Sequence, residues 1–226
     1  MIYYITVLYN TVISRRITMS ESERNTLEAI HCAAKEEFTE KGFKSASLRN
    51  IVKTAGVTTG AFYGYYNSKA ELFKALVGET YDYIMNRYKQ AHDMFQQLPE
   101  EVQPEQMGKF SRECMDELLV YCYDHTPEVQ LILKCSEGTK YAFMIDEMAE
   151  LETESTHKYY ETLEKLGRPS PKIDKRLEHI LITGMMNAYF EMLLHEMPFE
   201  DAKIFMRELL EFHTAGWAKI MGQEMP

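Results

Sequence analysis

Residues 47–76 read SLRNIVKTAGVTTGAFYGYYNSKAELFKAL, and the punctuation of this stretch decides the fold. Ser47 can cap a helix whose apolar positions, Leu48, Ile51, Val52 and Ala55, recur at helical spacing before Gly56 stops it. Thr58 can cap a second helix. Val57 just before that cap and Phe62 four residues after it have the spacing of a hydrophobic staple. Ser68 with Glu71 forms a capping-box signal ahead of Leu72, Phe73 and Leu76. Three short helices in succession, two of them joined by a tight glycine-containing turn, make a helix-turn-helix.

The run AGVTTGAFYGYYNSKAELF, residues 55–73, resembles the DNA-binding signature of the tetracycline-repressor (TetR) family of bacterial transcription regulators. The resemblance is close over about residues 24–76 and only architectural beyond. It implies an all-α chain: an N-terminal three-helix helix-turn-helix DNA-binding domain, then a helical ligand-binding and dimerisation domain. Three positions depart from the pattern. Gly64 stands where family members often carry a histidine or another side chain able to reach a base. Tyr66 replaces a frequent phenylalanine, and Asn67 a residue that is often basic or proline.

Chemistry assigns roles within the motif. Thr58, Thr59 and Gly60 lie at a helix N-terminus, where N–H groups favour a phosphate or a base edge. Thr59 can also hydrogen-bond a base or touch a thymine methyl. Tyr63 is expected on a phosphate, and Tyr65 on a phosphate or base edge. Arg49 and Lys69 are expected as phosphate clamps, with Phe62 and Tyr66 in the core.

Charge is divided unevenly. The 226 residues carry a formal net charge of −10, which by itself argues against a nucleic-acid partner. Yet residues 24–89 hold ten basic and seven acidic side chains, whereas 90–226 hold thirteen basic and twenty-six acidic. A basic module on an acidic body suits a DNA-reading head on a body that does not touch DNA.

The first 18 residues, MIYYITVLYNTVISRRIT, fit neither part. They are too short to span a bilayer and lack the features of a signal peptide. They read as an N-terminal extension outside the fold, with Met19 resembling a natural start. The expected division is 1–18 extension, 19–76 head and 77–226 body, in a cytoplasmic protein.

Ser20 with Glu23 signals the first long helix, with Leu27, Ile30, Ala34 and Phe38 as its buried stripe and Gly42 as its stop. The helix opened by Ser68 is expected to run to about Gln97, tolerating Gly78. After the loop 98–106, a helix is expected over 105–124 and another from Thr126–Pro127 to near Gly138. One long helix is expected over 139–166, with Glu147, Glu150, Glu152 and Glu154 on an acidic outer face. Residues 180–194, ILITGMMNAYFEMLL, contain one charged residue, Glu191. A helix this apolar must be buried on more than one side. It predicts a homodimer through helices 174–195 and 199–222, where Gly184 and Ala188 would let two backbones approach.

A small-molecule effector, lipophilic or cationic, is expected in a pocket lined by Phe110, Cys114, Tyr121, Tyr141, Met144, Met148 and Tyr189. Fifteen methionines favour a malleable interior. The four cysteines, Cys32, Cys114, Cys122 and Cys135, read as reduced core residues. The histidines show no metal-ligand spacing. No nucleophile elbow, P-loop or dinucleotide glycine motif occurs, so neither catalysis nor a cofactor is expected. The reading is a ligand-responsive regulator, most simply a repressor. It would bind a palindromic operator as a dimer and release it when effector misspaces the two heads. The rival is an all-helical enzyme or metal sensor on the same body.

Overall fold

The computed structural model describes residues 21–222. The expectations for residues 1–18 and for the Ser20 cap lie outside these. Among the described residues all regular structure is helical, and the chain divides into two compact units at Leu76/Val77.

In the first unit, α1 (Glu21–Ser45) buries Ile30, Ala33, Ala34 and Phe38, with Leu27 half-buried. Gly42 interrupts it at φ +69°, a left-handed conformation that costs glycine little, and one more turn follows. Cys32 points to solvent, because it falls between the buried positions Ile30 and Ala33 and faces the opposite side. The expectation that it is a core residue is corrected accordingly.

α2 (Leu48–Thr54) is capped by Ser47, whose hydroxyl accepts from the Asn50 N–H at 3.4 Å. A turn at Gly56 (φ +66°) leads to α3 (Thr59–Tyr65), capped by Thr58. α4 (Lys69–Gln96) begins behind Ser68, whose Oγ accepts from the Glu71 N–H. Glu71 returns the bond one residue further back than a capping box would place it. Its Oε2 accepts from both the backbone N–H and the side-chain amide of Asn67, each at 2.9 Å, which gives Asn67 a structural role. Phe62, Phe38, Phe73 and Leu72 are fully buried and form the centre of this unit.

In the second unit, the remainder of α4 is followed by a single helical turn at Gln103–Gln106. Then come α5 (Lys109–Asp124), α6 (Thr126–Cys135), α7 (Met144–Lys165), α8 (Lys175–Leu194) and α9 (Phe199–Ile220). α8 packs on α6, α7 and α9, and α9 packs on α5. The predicted single helix over 139–166 instead opens with a turn of 3-10 helix, Lys140–Phe143, capped by Thr139.

The acidic outer face of α7 is also corrected. Glu150 and Glu154 are exposed, but Glu147 accepts from the Tyr81 hydroxyl and Glu152 from the Tyr88 hydroxyl, and both are half-buried. Gly108 precedes α5 at φ +80°, and a Cβ there would lie 3.2 Å from the Thr214 methyl, so the position suits glycine alone.

α8 is the most apolar helix of the unit, yet α8 and α9 both leave large apolar side chains uncovered among exposed polar ones. Leu177 (47% exposed), Ile180 (64%) and Gly184 lie outward on α8. Ile204 (54%), Phe212 (73%) and Gly216 lie outward on α9. A Cβ added at Gly184 or Gly216 would meet nothing within 4 Å.

Candidate nucleic-acid interface and effector cavity

The helix-turn-helix is held from behind, and its front is left to solvent. Glu37 of α1 is buried beneath α2. Its Oε1 accepts from the Ser47 backbone N–H at 2.8 Å and from the Asn50 amide, and Lys41 pairs with the same carboxylate at 3.1 Å. The Ser47 N–H, reinforced by Lys41, holds this carboxyl below its usual range against the opposing effect of burial. Glu37 thus meets part of the hydrogen-bond need at the N-terminus of α2.

Phe62 anchors α3 with no exposed surface. Tyr66 lies beside it half-buried, its hydroxyl hydrogen-bonded to His31 Nε2. On the front, Arg49 of α2 and Thr58, Thr59, Gly60, Tyr63 and Gly64 around α3 are all exposed. Tyr63 presents about half its surface (52%). The Thr58 oxygen accepts from the Ala61 N–H at 3.1 Å, which leaves its hydroxyl hydrogen to donate outward. A Cβ at Gly64 would meet open space, so packing does not require glycine there.

Two expected contacts with DNA have other work. Tyr65 is half-buried, and its hydroxyl donates to the Glu23 carbonyl at 3.2 Å, tying α3 to the start of α1. The Lys69 ammonium donates to the carbonyls of Phe43 (2.6 Å), Ala46 (2.8 Å) and Lys44 (3.3 Å) and lies 4.7 Å from the centre of the Phe43 ring. An ammonium has three hydrogens, and these three carbonyls engage them. Lys69 is therefore a staple for the α1–α2 connection, and its reading as a phosphate clamp is corrected. Sequence reasoning missed Glu37 altogether. The available signal was a glutamate directly before the buried Phe38 on the inward face of α1.

The body contains a cavity of about 120 Å³ between α4, α5, α7 and α9. Only Phe110 and Cys114 of the seven expected lining residues reach it. Burial raises the Cys114 thiol to about 11, so it stays protonated as a soft, weakly polar wall. The other five pack elsewhere. Tyr121 stacks between Tyr83 and His125. Tyr141 sits edge-on to Tyr81, while Met144 and Met148 are core residues of α7. Tyr189 is fully buried, donating to the Met115 carbonyl at 3.1 Å. These are corrected from lining to packing: a stripe shows which face of a helix is buried, and not whether protein or space lies opposite.

The walls that sequence reasoning overlooked are aromatic: Tyr88, Phe95, Tyr159 and Trp217, with His92 and His213 between them. One carboxylate enters, that of Glu152. A second groove shares Met107, Gly108, Tyr159 and Thr214 with the cavity as walls.

Among the described residues, no group of three or more His, Cys, Asp or Glu is placed to hold a metal. No helix among them is long and apolar enough to cross a membrane.

Comparisons with known proteins agree with this geometry. Residues 30–76 match the family model described as "Bacterial regulatory proteins, tetR family". The HTH-type transcriptional regulator TtgR of Pseudomonas putida is 38% identical over 72 residues, which are 30% of this chain and 34% of that protein. This chain thus matches about a third of the length of such a relative.

Two solved structures carry the likeness through the body. A transcriptional regulator from Aquifex aeolicus superposes with a TM-score of 0.52 at 22% identity, over 83% of this chain and 98% of its own. NalD, the secondary repressor of the MexAB-OprM multidrug efflux pump in Pseudomonas aeruginosa, gives 0.52 at 21%, over 86% and 97%. At these identities the likeness speaks for the fold.

Proposed function

We propose that this chain, whose head is the DNA-binding module of the tetR family, is a ligand-responsive transcriptional repressor acting in the cytoplasm as a homodimer. Each head places α3 in the major groove of one half of a near-palindromic operator. Thr59 and Gly60 face base edges, while Arg49, Thr58 and Tyr63 face phosphates. The observation that carries this reading is the exposed polar face of α2 and α3 on a buried Phe62 anchor, within a basic head joined to an acidic body.

The dimer forms through helices 174–195 and 199–222. The reason is the uncovered apolar face of α8 and α9, which water penalises by about 25 cal/mol per Å² until a second copy covers it. A lipophilic or cationic small molecule in the body cavity favours a state of lower operator affinity. A gel shift with DNA taken from beside the protein's own gene tests the function. A discrete retarded band at moderate salt, dispersed by higher salt, is expected. Absence of a band at every salt concentration would favour the reading as an all-helical enzyme or metal sensor.

A further inference from the structure

We infer that the body cavity selects a protonated amine with an aromatic or alkyl body, and that Glu152 is the residue that sets this preference. The inference rests on the proposal that the cavity is the effector site, and it narrows the class of molecule that enters.

Glu152 belongs to the inward stripe of α7: Met148 lies four residues before it and Tyr159 seven after, and both are buried. Its Oε2 accepts from the Tyr88 hydroxyl at 2.6 Å. Tyr88 is itself buried, and burial pushes its phenol well above the usual range, so it remains a donor that fixes the carboxylate in place. About a quarter of the Glu152 side chain is still accessible (26%). Among the described residues no lysine or arginine pairs with it.

His92 stands beside it, with Nε2 3.4 Å from the same oxygen. That nitrogen is sealed from water, and so from a ligand as well. Across the cavity, burial lowers the pKa of His213, which leaves it neutral at pH 7. The cavity therefore holds a fixed carboxylate and several aromatic walls.

A carboxylic acid or phosphate would meet like charge here. A neutral hydrocarbon would cover the carboxylate without offering it a donor, which is costly. An ammonium group can donate an N–H to the accessible part of the Glu152 carboxylate. Its charge is attracted by the faces of rings such as Phe95, Phe110 and Trp217, while its hydrocarbon body covers apolar wall.

The test uses the chain's single tryptophan, Trp217, which lines the cavity and reports on occupancy by its fluorescence. The full chain is titrated at pH 7.5 with three probes of one skeleton: 3-phenylpropylamine, 3-phenylpropan-1-ol and 3-phenylpropionate. The expected result is saturable change with the amine at an affinity about tenfold above the alcohol's, one decade of binding, and the weakest binding for the acid. Glu152→Gln should bring the amine down to the alcohol and leave the alcohol unchanged. Tyr88→Phe should narrow the preference in the same direction.

Wild-type protein that binds the alcohol as tightly as the amine, with a saturable Trp217 response, would overturn the ligand class while leaving the cavity as effector site. No saturable response to any of the three would overturn both.

Discussion

α3 and α8 are both helices with one face buried, and they present opposite faces to water. α3 has seven residues, buries Phe62, and shows solvent Thr59, Gly60, Tyr63 and Gly64. α8 has twenty, buries Ile182, Met186, Tyr189 and Phe190, and shows solvent Leu177, Ile180 and Gly184. A polar face is stable in water and gains from a charged partner only when that partner arrives. An apolar face is penalised in water from the outset. On the proposed function the two helices meet different partners: a polyanion for the first, a second copy of the same surface for the second.

The largest effect should come from removing the anchor of the polar face. Phe62→Ala empties the centre of the head and should cost it about 3–5 kcal/mol. Hydrogen exchange should show lost protection over residues 48–73 and little change in α7 and α8. Equal loss in both regions would break the division into separately stabilised units.

Next is Gly184→Arg, which adds a charge to the apolar face of α8. Since a Cβ there meets nothing in the single chain, the protomer should keep its helix content. The dimer should dissociate, and operator affinity should fall about a hundredfold or more as two-site engagement is lost. Sedimentation velocity and fluorescence anisotropy measure the two effects. A wild-type dimer that binds operator normally would place Gly184 outside the interface.

Within the polar face the two contact types should separate. Thr59→Ala should reorder preference among operator variants by about 1–3 kcal/mol at the base it faces. Tyr63→Ala should weaken all sequences alike, by a few-fold, because a phosphate contact carries no base information. Tyr63→Ala with unaltered affinity across a salt series would remove Tyr63 from the interface.

The smallest effect concerns pH. The Glu37 carboxyl is held low in the folded head by the Ser47 N–H. Its stabilisation is therefore complete above the ordinary glutamate pKa of about 4.3 and is lost as pH falls through the lower folded value. Glu37→Gln should flatten the acid limb of the head's stability curve below about pH 4.5. An unchanged acid limb would show that Glu37 does not support α2.

The head was legible because its signals are local. Ser47, Gly56, Thr58 and Ser68 each fix a helix end through a bond within a few residues, and short-range chemistry of this kind can be read along the chain. Tyr65 and Lys69 were misjudged because their partners, Glu23 and the 43–46 carbonyls, lie far back in sequence. In the body, helix positions were legible from periodicity, and the cavity was not. Met144 and Met148 share the inward side of their helix with Glu152, but only the third dimension shows which of them faces space. Glu152 was grouped with its acidic neighbours Glu150 and Glu154, although its spacing from Met148 and Tyr159 places it on the inward stripe.

On the proposed function, two copies of this chain together read one duplex. Sedimentation velocity of a fluorescently labelled duplex from beside the protein's gene, titrated with the full chain at about 0.1 M salt, tests it most directly. The predicted result is a duplex that moves with two protomers, with no populated one-protomer species, and is released as salt rises. A duplex that sediments alone at every protein concentration and salt, or one saturated at full affinity by a single protomer, would contradict it.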